Sequence, residues 1–255
     1  ITLLQSYGVK TVELGVQSMN DGILVDAKRG HTAQEVIDAV ARLKQRGMTV
    51  GVQLLPGLKG ETWHTILETA IAVVKLKPDF VRIYPVLVIE NTELADQYRA
   101  GEYEPLSTEQ AITYCAFLKA WFDEHNIEVI RTGLQSTEEL DSGNSLVAGP
   151  YEPAMGELVV NEQYKQCIER CINEHLEYSV DKELSQWNVW GRLNTFTDLN
   201  ISIFYPRSLT SKVRGLKNRN IVYFQAKYPH LNINWYEDST RNTVRCCIDG
   251  LQYVL

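Results

Sequence analysis

Glu13, Gln17 and Gln53 are polar side chains set beside or within otherwise apolar stretches, residues 11–16 and 49–55. An apolar interior penalises an unpartnered polar group by about 1 to 3 kcal/mol, so each of the three must hydrogen-bond to something. Two partners are open, the backbone of neighbouring loops or a polar small-molecule ligand, and Arg29 between the two stretches weighs toward the ligand. Arg29 itself, read from the residues alone, is a surface ion pair with Asp26 or another acid. Pro56-Gly57-Leu58-Lys59-Gly60-Glu61-Thr62 mixes rigid and flexible breakers ahead of a helix, a turn suited to close backbone approach by a ligand.

The thiols and imidazoles carry less. Cys167 and Cys171 have an x3 spacing, but their neighbours read as an amphipathic helix on which i and i+4 side chains merely share a face. Cys246 and Cys247 are adjacent in a strand and point to opposite faces. The five histidines are scattered without metal-ligand spacing, so no metal site is read from this chain.

These residues need a scaffold. The chain has 255 residues, 44% hydrophobic and 22% charged, with 16 Gly and 8 Pro. That is globular composition and excludes fibrous and disordered classes. Five cysteines, an odd number, argue for reduced thiols and a cytoplasmic location. No run approaches the roughly 18 to 20 apolar residues of a membrane span, so no membrane partner is expected. The chain starts on Ile1, and Leu3 to Gly8 reads as the last turn of a helix closed by glycine, so the expectation is a chain that begins in mid-domain.

Residues 11–16 form a predicted strand, Asn20 to Arg29 a helical segment, and Thr32 with Glu35 the capping box of a helix that ends at Gly47. The alternation repeats: strand 49–55, helix 61–75, strand 80–86, a long loop, a helix capped by Ser107 and Gln110, and strand 127–130. Such alternation means right-handed βαβ units and a parallel sheet, as in a barrel or a doubly wound fold. The loops after the strands then line the site: 15–18, 53–60, 84–88 and 131–135. Near residue 155 the punctuation changes, which divides the chain into domains 1–155 and 156–255. The second opens with an amphipathic helix, Val160 to His175, and Trp187 and Trp190 read as packing between the domains.

Taken together, Glu13 to Met19, Lys28 to Thr32, Gln53 to Leu58, Arg82 to Val88, Tyr98 to Tyr103 and Gly149 to Leu158 resemble the radical S-adenosylmethionine (SAM) superfamily. Elongator protein 3-like enzymes are the nearest match and oxygen-independent coproporphyrinogen oxidase a more distant one. The resemblance covers residues 4–159. It implies a partial (β/α) barrel of the TIM type holding a 4Fe-4S cluster and S-adenosyl-L-methionine, which is cleaved to a 5′-deoxyadenosyl radical, with a reductant protein such as flavodoxin or ferredoxin. By position, Gln17, Arg29 and Gln53 resemble the residues that contact the methionine and ribose parts of the cofactor in coproporphyrinogen oxidase, although Gln53 stands where that enzyme has Asp. Tyr84 falls on the adenine side, and Arg131, Gln135, Tyr151 and Glu157 fall toward the substrate. The superfamily's Cys-x3-Cys-x2-Cys loop is not present in residues 1–255. The expectation is that it belongs to a segment before Ile1, and that this polypeptide by itself neither holds the cluster nor starts radical chemistry.

Residues 201–230 hold Arg207, Lys212, Arg214, Lys217, Arg219 and Lys227 and no acid, +6 in a chain of net −7. This is either a solvated face or a polyanion contact. The predicted order there is β-α-α-β-β, which resembles a KH-type module with Val213-x-Gly215-x-x-Asn218-x-x-Ile221 in place of Val-x-Gly-x-x-Gly-x-x-Ile. The resemblance makes Arg214, Gly215, Lys217 and Arg219 nucleic-acid contacts. Three functions follow as expectations: a radical SAM enzyme acting on RNA, with tRNA foremost; the same chemistry on a small molecule or protein; or a catalytically silent RNA-binding adaptor. No acetyltransferase-like domain is apparent after the barrel.

Overall fold

The computed structural model describes residues 1–143, 145–185 and 199–255. Trp187 and Trp190 lie outside the described residues. The chain divides into two compact units, Ile1–Val159 and Val160–Leu255.

In the first unit, α1 (Thr2–Ser6) leads into β1 (Thr11–Gln17), α2 (Asp21–Asp26), α3 (Ala33–Gln45), β2 (Thr49–Leu54), α4 (Trp63–Leu76) and β3 (Phe80–Ile83). The segment expected as a long loop contains β4 (Val88–Ile89) and α5 (Glu93–Arg99). Then come α6 (Thr108–Glu124), β5 (Glu128–Thr132), α7 (Glu138–Asp141) and β6 (Leu146–Ala148). β4 and β6 pair antiparallel, and this short pairing is what turns the loop back on itself. β1, β2, β3 and β5 form one four-stranded parallel sheet in that order, a partial barrel.

Local chemistry explains the helix starts. Thr32 with Glu35 and Ser107 with Gln110 form reciprocal capping boxes, and Thr62 with Thr65 forms a third, which sets the start of α4 at Trp63. α2 ends at Asp26 because Lys28 turns left-handed and the Arg29 amide returns to the Leu24 carbonyl, so the helix expected to reach Arg29 is shorter. Val50, Val52, Leu54, Val81 and Ile83 form the buried face of the sheet, packed with Val36, Val40, Ile66, Val73 and Phe122 from the helices.

α8 (Met155–Ser185) is much longer than expected; its first turn belongs to the first unit and the remainder to the second. The second unit continues with β7 (Asn200–Tyr205), a 3-10 turn (Arg207–Leu209), α9 (Thr210–Arg214), a second such turn (Leu216–Asn218), α10 (Arg219–Lys227), β8 (Asn232–Glu237), β9 (Arg245–Ile248) and β10 (Leu251–Val254). Its sheet runs β10-β9-β7-β8, with β8 parallel to β7. Ile168, Ile172, Ile201, Ile203, Val213, Phe224 and Ile248 fill its core. No helix among the described residues is long and apolar enough to cross a membrane.

Candidate cofactor-binding face

Side chains alternate along a strand, so the face opposite the buried valines is set by the register. Glu13 stands beside Gly51, Gln53 beside Arg82, and Arg82 beside Arg131. The register shifts so that Ile130 is the extra residue of a bulge and Arg131 rejoins the face of Arg82. One face of the parallel sheet is therefore polar. Gln53 Nε2 donates to Glu13 Oε2 at 2.9 Å, and Arg82 Nε lies 3.1 Å from the same oxygen as an ion pair without hydrogen-bond alignment. Arg82 Nη1 donates to the Tyr84 hydroxyl at 3.1 Å.

At the carboxyl end of β1, Gln17 is 6% exposed and left-handed, φ 67°. That conformation is rare outside glycine and asparagine, and here neighbouring bonds hold it in place. The Gln17 carbonyl accepts from the Leu55 amide at 3.0 Å, and the buried Thr69 hydroxyl of α4 accepts from the Met19 amide at 3.0 Å and lies 3.2 Å from Ser18 Oγ. So held, the Gln17 side chain folds back over Gly15. A Cβ on Gly15 would stand 2.5 Å from Gln17 Nε2 and 3.6 Å from Arg29 Nη2. Gln17 Oε1 is buried with no hydrogen-bond partner. The Arg29 side chain is exposed, and among the described residues it makes no ion pair, with Asp26 or any other acid.

The loops at the strand ends are stitched together. The Tyr84 amide donates to the Leu54 carbonyl, Val86 to Pro56 and Gly133 to Ile83, each at 2.9 Å. Within the loop after β2, Glu61 Oε2 accepts from the Gly57 amide at 2.6 Å while Tyr103 donates its hydroxyl to the Gly57 carbonyl at 2.7 Å. Burial pushes the Glu61 carboxyl up to about 7, against the lowering pull of the Gly57 and Leu58 amides. Burial, with the charge of Glu61, pushes Tyr103 up to about 12.

The structure thus brings Gln17, Arg29, Gln53 and Tyr84 to one face and one end of the sheet, with Glu13 and Arg82 linking them. Arg131 joins that face, its Nη1 donating to Gln135 Oε1 at 3.1 Å. Tyr151 instead donates to Asp141, which also accepts from Ser136, in a separate surface cluster. Glu157 lies half-buried in the first turn of α8. Arg214, Gly215, Lys217 and Arg219 belong to the second unit. Sequence reasoning missed Thr69, and it gave Ser18 and the half-buried Glu61 only as members of the loop 15–18 and of the turn 56–62. The one signal for Thr69 was a hydroxyl on the apolar face of α4, next to Ala70 and Val73.

Two family models match the chain in succession, the radical SAM superfamily over residues 1–72 and the radical SAM C-terminal domain over residues 78–166. The chain belongs to the radical SAM superfamily. Among its relatives, the tRNA uridine(34) acetyltransferase of Methanocaldococcus jannaschii is 39% identical over 123 residues, which are 47% of this chain and 23% of that protein. Elongator complex protein 3 of Danio rerio is 29% identical over 117 residues, 45% of this chain and 21% of that protein. A solved structure of the archaeal Methanocaldococcus infernus Elp3 with an N-terminal deletion superposes with a TM-score of 0.55 at 30% identity, covering 64% of this chain and 38% of that one. This radical SAM chain therefore spans under a quarter of the length of these two curated relatives. The superfamily implies S-adenosylmethionine and a 4Fe-4S cluster. The cysteines present here do not fit the cluster: none of the five is in a disulfide, Cys115 is fully buried, and Cys171 is hydrogen-bonded to Cys246. Among the described residues no three His, Cys, Asp or Glu side chains converge as metal ligands.

Proposed function

We propose that the polar face binds S-adenosylmethionine and that the chain is the part of a radical SAM enzyme that orients this cofactor for modification of tRNA. The observation that carries the reading is Gln17 Oε1, a buried acceptor without a partner beside an unpaired guanidinium, over a glycine whose Cβ would fill the space. An isolated buried acceptor costs about 1 to 3 kcal/mol, which a donor from a ligand recovers. The amino group of the cofactor's methionine portion is such a donor, and its carboxylate matches the fork of Arg29. Glu13 and Gln53, already bonded to each other, retain one free oxygen each for ribose hydroxyls. Tyr84 flanks the adenine side. When bound, S-adenosylmethionine supplies the 5′-deoxyadenosyl group; the roles assigned here are binding and orientation only. Arg82 and Arg131 stand side by side with Glu13 as the carboxylate on Arg82, an excess of positive charge that suits an anionic substrate. The names of the relatives make tRNA the substrate of choice.

Calorimetric titration with S-adenosylmethionine and S-adenosylhomocysteine tests the reading. Arg29→Ala, at an exposed position, and Gln17→Leu should each weaken binding by about tenfold or more, equivalent to about 1.4 kcal/mol. Unchanged affinity in Arg29→Ala, or no binding by the wild type, would overturn the assignment.

A further inference from the structure

The second unit carries a cationic hollow that lies beyond the residues matched by either family model. Of the six cations in residues 201–230, Lys227 is bound to Glu169 and lies over Tyr223 and Tyr228. Arg207, Arg214 and Lys217 instead line an open hollow of about 540 Å³ with Ser208 and Ser211, and no carboxylate is among its lining residues. Glu237, an acid bonded to the Thr210 side chain, accepts from Thr210 Oγ1 at 3.2 Å. Arg214 Nε is buried without a hydrogen-bond partner. Among the described residues Arg207, Arg214 and Lys217 have no ionic partner.

The rim of this hollow is held in an improbable shape. Gly215 (φ 78°), Lys217 (φ 54°) and Asn218 (φ 63°) all have positive φ. Glycine and asparagine tolerate this, whereas the left-handed conformation costs a lysine about 1 to 2 kcal/mol. Two buried asparagines impose it. Asn161 Nδ2 donates to the Ser211 and Lys212 carbonyls, each at 3.1 Å, and its Oδ1 accepts from the Leu216 amide at 2.9 Å. Asn220 Nδ2 donates to the Asn161 and Val213 carbonyls at 2.9 and 3.0 Å. Turn chemistry alone gives no reason for lysine at 217, because glycine or asparagine would sit there without strain. The Lys217 side chain is exposed, and what the turn achieves is an ammonium at the mouth of a hollow that already holds two guanidiniums.

We infer that this hollow binds phosphate groups of a polynucleotide backbone, with Arg207, Arg214 and Lys217 as the charge contacts and Asn161 and Asn220 as positioning residues. The inference rests on the RNA reading of the proposed function. Guanidinium and ammonium groups with hydroxyls between them are the donor set phosphate oxygens take, and the cations are spread around an open hollow rather than closed into a cage. An open row favours successive phosphates over one small anion, and a local cationic surface on a chain of net −7 directs a polyanion to this place.

Fluorescence anisotropy with labelled tRNA and a single-stranded oligonucleotide, over a range of salt concentrations, tests it on the wild-type protein. Lys217→Ala and Arg207→Ala, both at the surface, should weaken binding several-fold, and each should reduce the slope of log Kd against log salt by about 0.7 to 0.9 for every phosphate no longer neutralised. Asn161→Ser should weaken binding with the slope unchanged, since no charge is removed, and a role confined to folding would show as lost secondary structure by circular dichroism. S-adenosylmethionine affinity should be the same in all three variants. RNA binding insensitive to Lys217→Ala and Arg207→Ala would overturn this site and leave the cofactor reading intact. Failure of the wild type to bind RNA would overturn this site and the RNA reading together. Displacement of RNA by inorganic phosphate or a mononucleotide at matched phosphate concentration would overturn the polynucleotide assignment in favour of a small phosphate ligand.

Discussion

Gln17 Nε2 lies 2.5 Å from where a β-carbon on Gly15 would stand, inside the contact distance of that atom. The two residues are separated by one, yet the left-handed backbone at Gln17 turns its side chain back along the strand and lays the amide on the polar face. Gly15 is needed for the room it leaves, because its own φ lies outside the left-handed range and alanine would fit its backbone.

That separation of backbone from space makes Gly15→Ala informative. The methyl group would displace the Gln17 amide and crowd Arg29 Nη2 at 3.6 Å, while the strand itself tolerates alanine. The expected outcome is a thermal midpoint close to wild type and an affinity for S-adenosylmethionine lowered by about tenfold or more, the equivalent of about 1.4 kcal/mol. Calorimetry paired with thermal unfolding checks this; equal affinity in the variant would mean that the Gln17 amide does not contact the ligand.

Thr69→Val probes the support beneath Gln17. Valine keeps the shape of threonine and removes the hydroxyl that accepts from the Met19 amide and pairs with Ser18. A fully buried amide left unpartnered costs about 1 to 3 kcal/mol and the part-buried Met19 amide a share of that, and the turn that holds Gln17 loosens with it. Chemical denaturation should show that loss, and cofactor affinity should fall as well although Thr69 touches no ligand. A stability loss with unchanged affinity would separate the two effects and remove Thr69 from the support of the site.

Much of the scaffold was legible because it is local. The Thr32–Glu35 and Ser107–Gln110 boxes depend on residues three apart, and the βαβ order follows from apolar periodicity, so both could be read before any contact was known. The polar face was half legible: Glu13, Gln17 and Gln53 are conspicuous among valines and leucines. Their links to Arg82 and Tyr84 were not, since those require the register of three parallel strands brought together across about 70 residues. α5 and β4 hid in an expected loop because β4 has only two residues and makes its pairing with β6, over 50 positions away. The Asn161 clamp was illegible for the same reason: its partners lie 50 to 55 residues downstream, and an asparagine on an amphipathic helix announces nothing locally.

Glu61 makes the stability of this unit depend on pH in the sense opposite to an ordinary salt-bridged carboxylate. Its folded value, about 7, lies above the unfolded value of 4.5, so the native state binds the proton more tightly. Between those values the native protein holds more protons than the unfolded one, and stability falls as pH rises, by at most about 1.4 kcal/mol per pH unit for one proton. The contribution is complete below about 4.5 and lost once pH passes about 7, where a charge must be held in the half-buried loop beside Gly57 and Tyr103. Glu61→Gln keeps an acceptor for the Gly57 amide and has no proton to lose. Urea denaturation at pH 5, 6, 7 and 8 should therefore give a flatter profile for the variant, with its advantage over wild type growing toward pH 8. Parallel profiles would show that Glu61 titrates in the folded protein as it does in the unfolded chain.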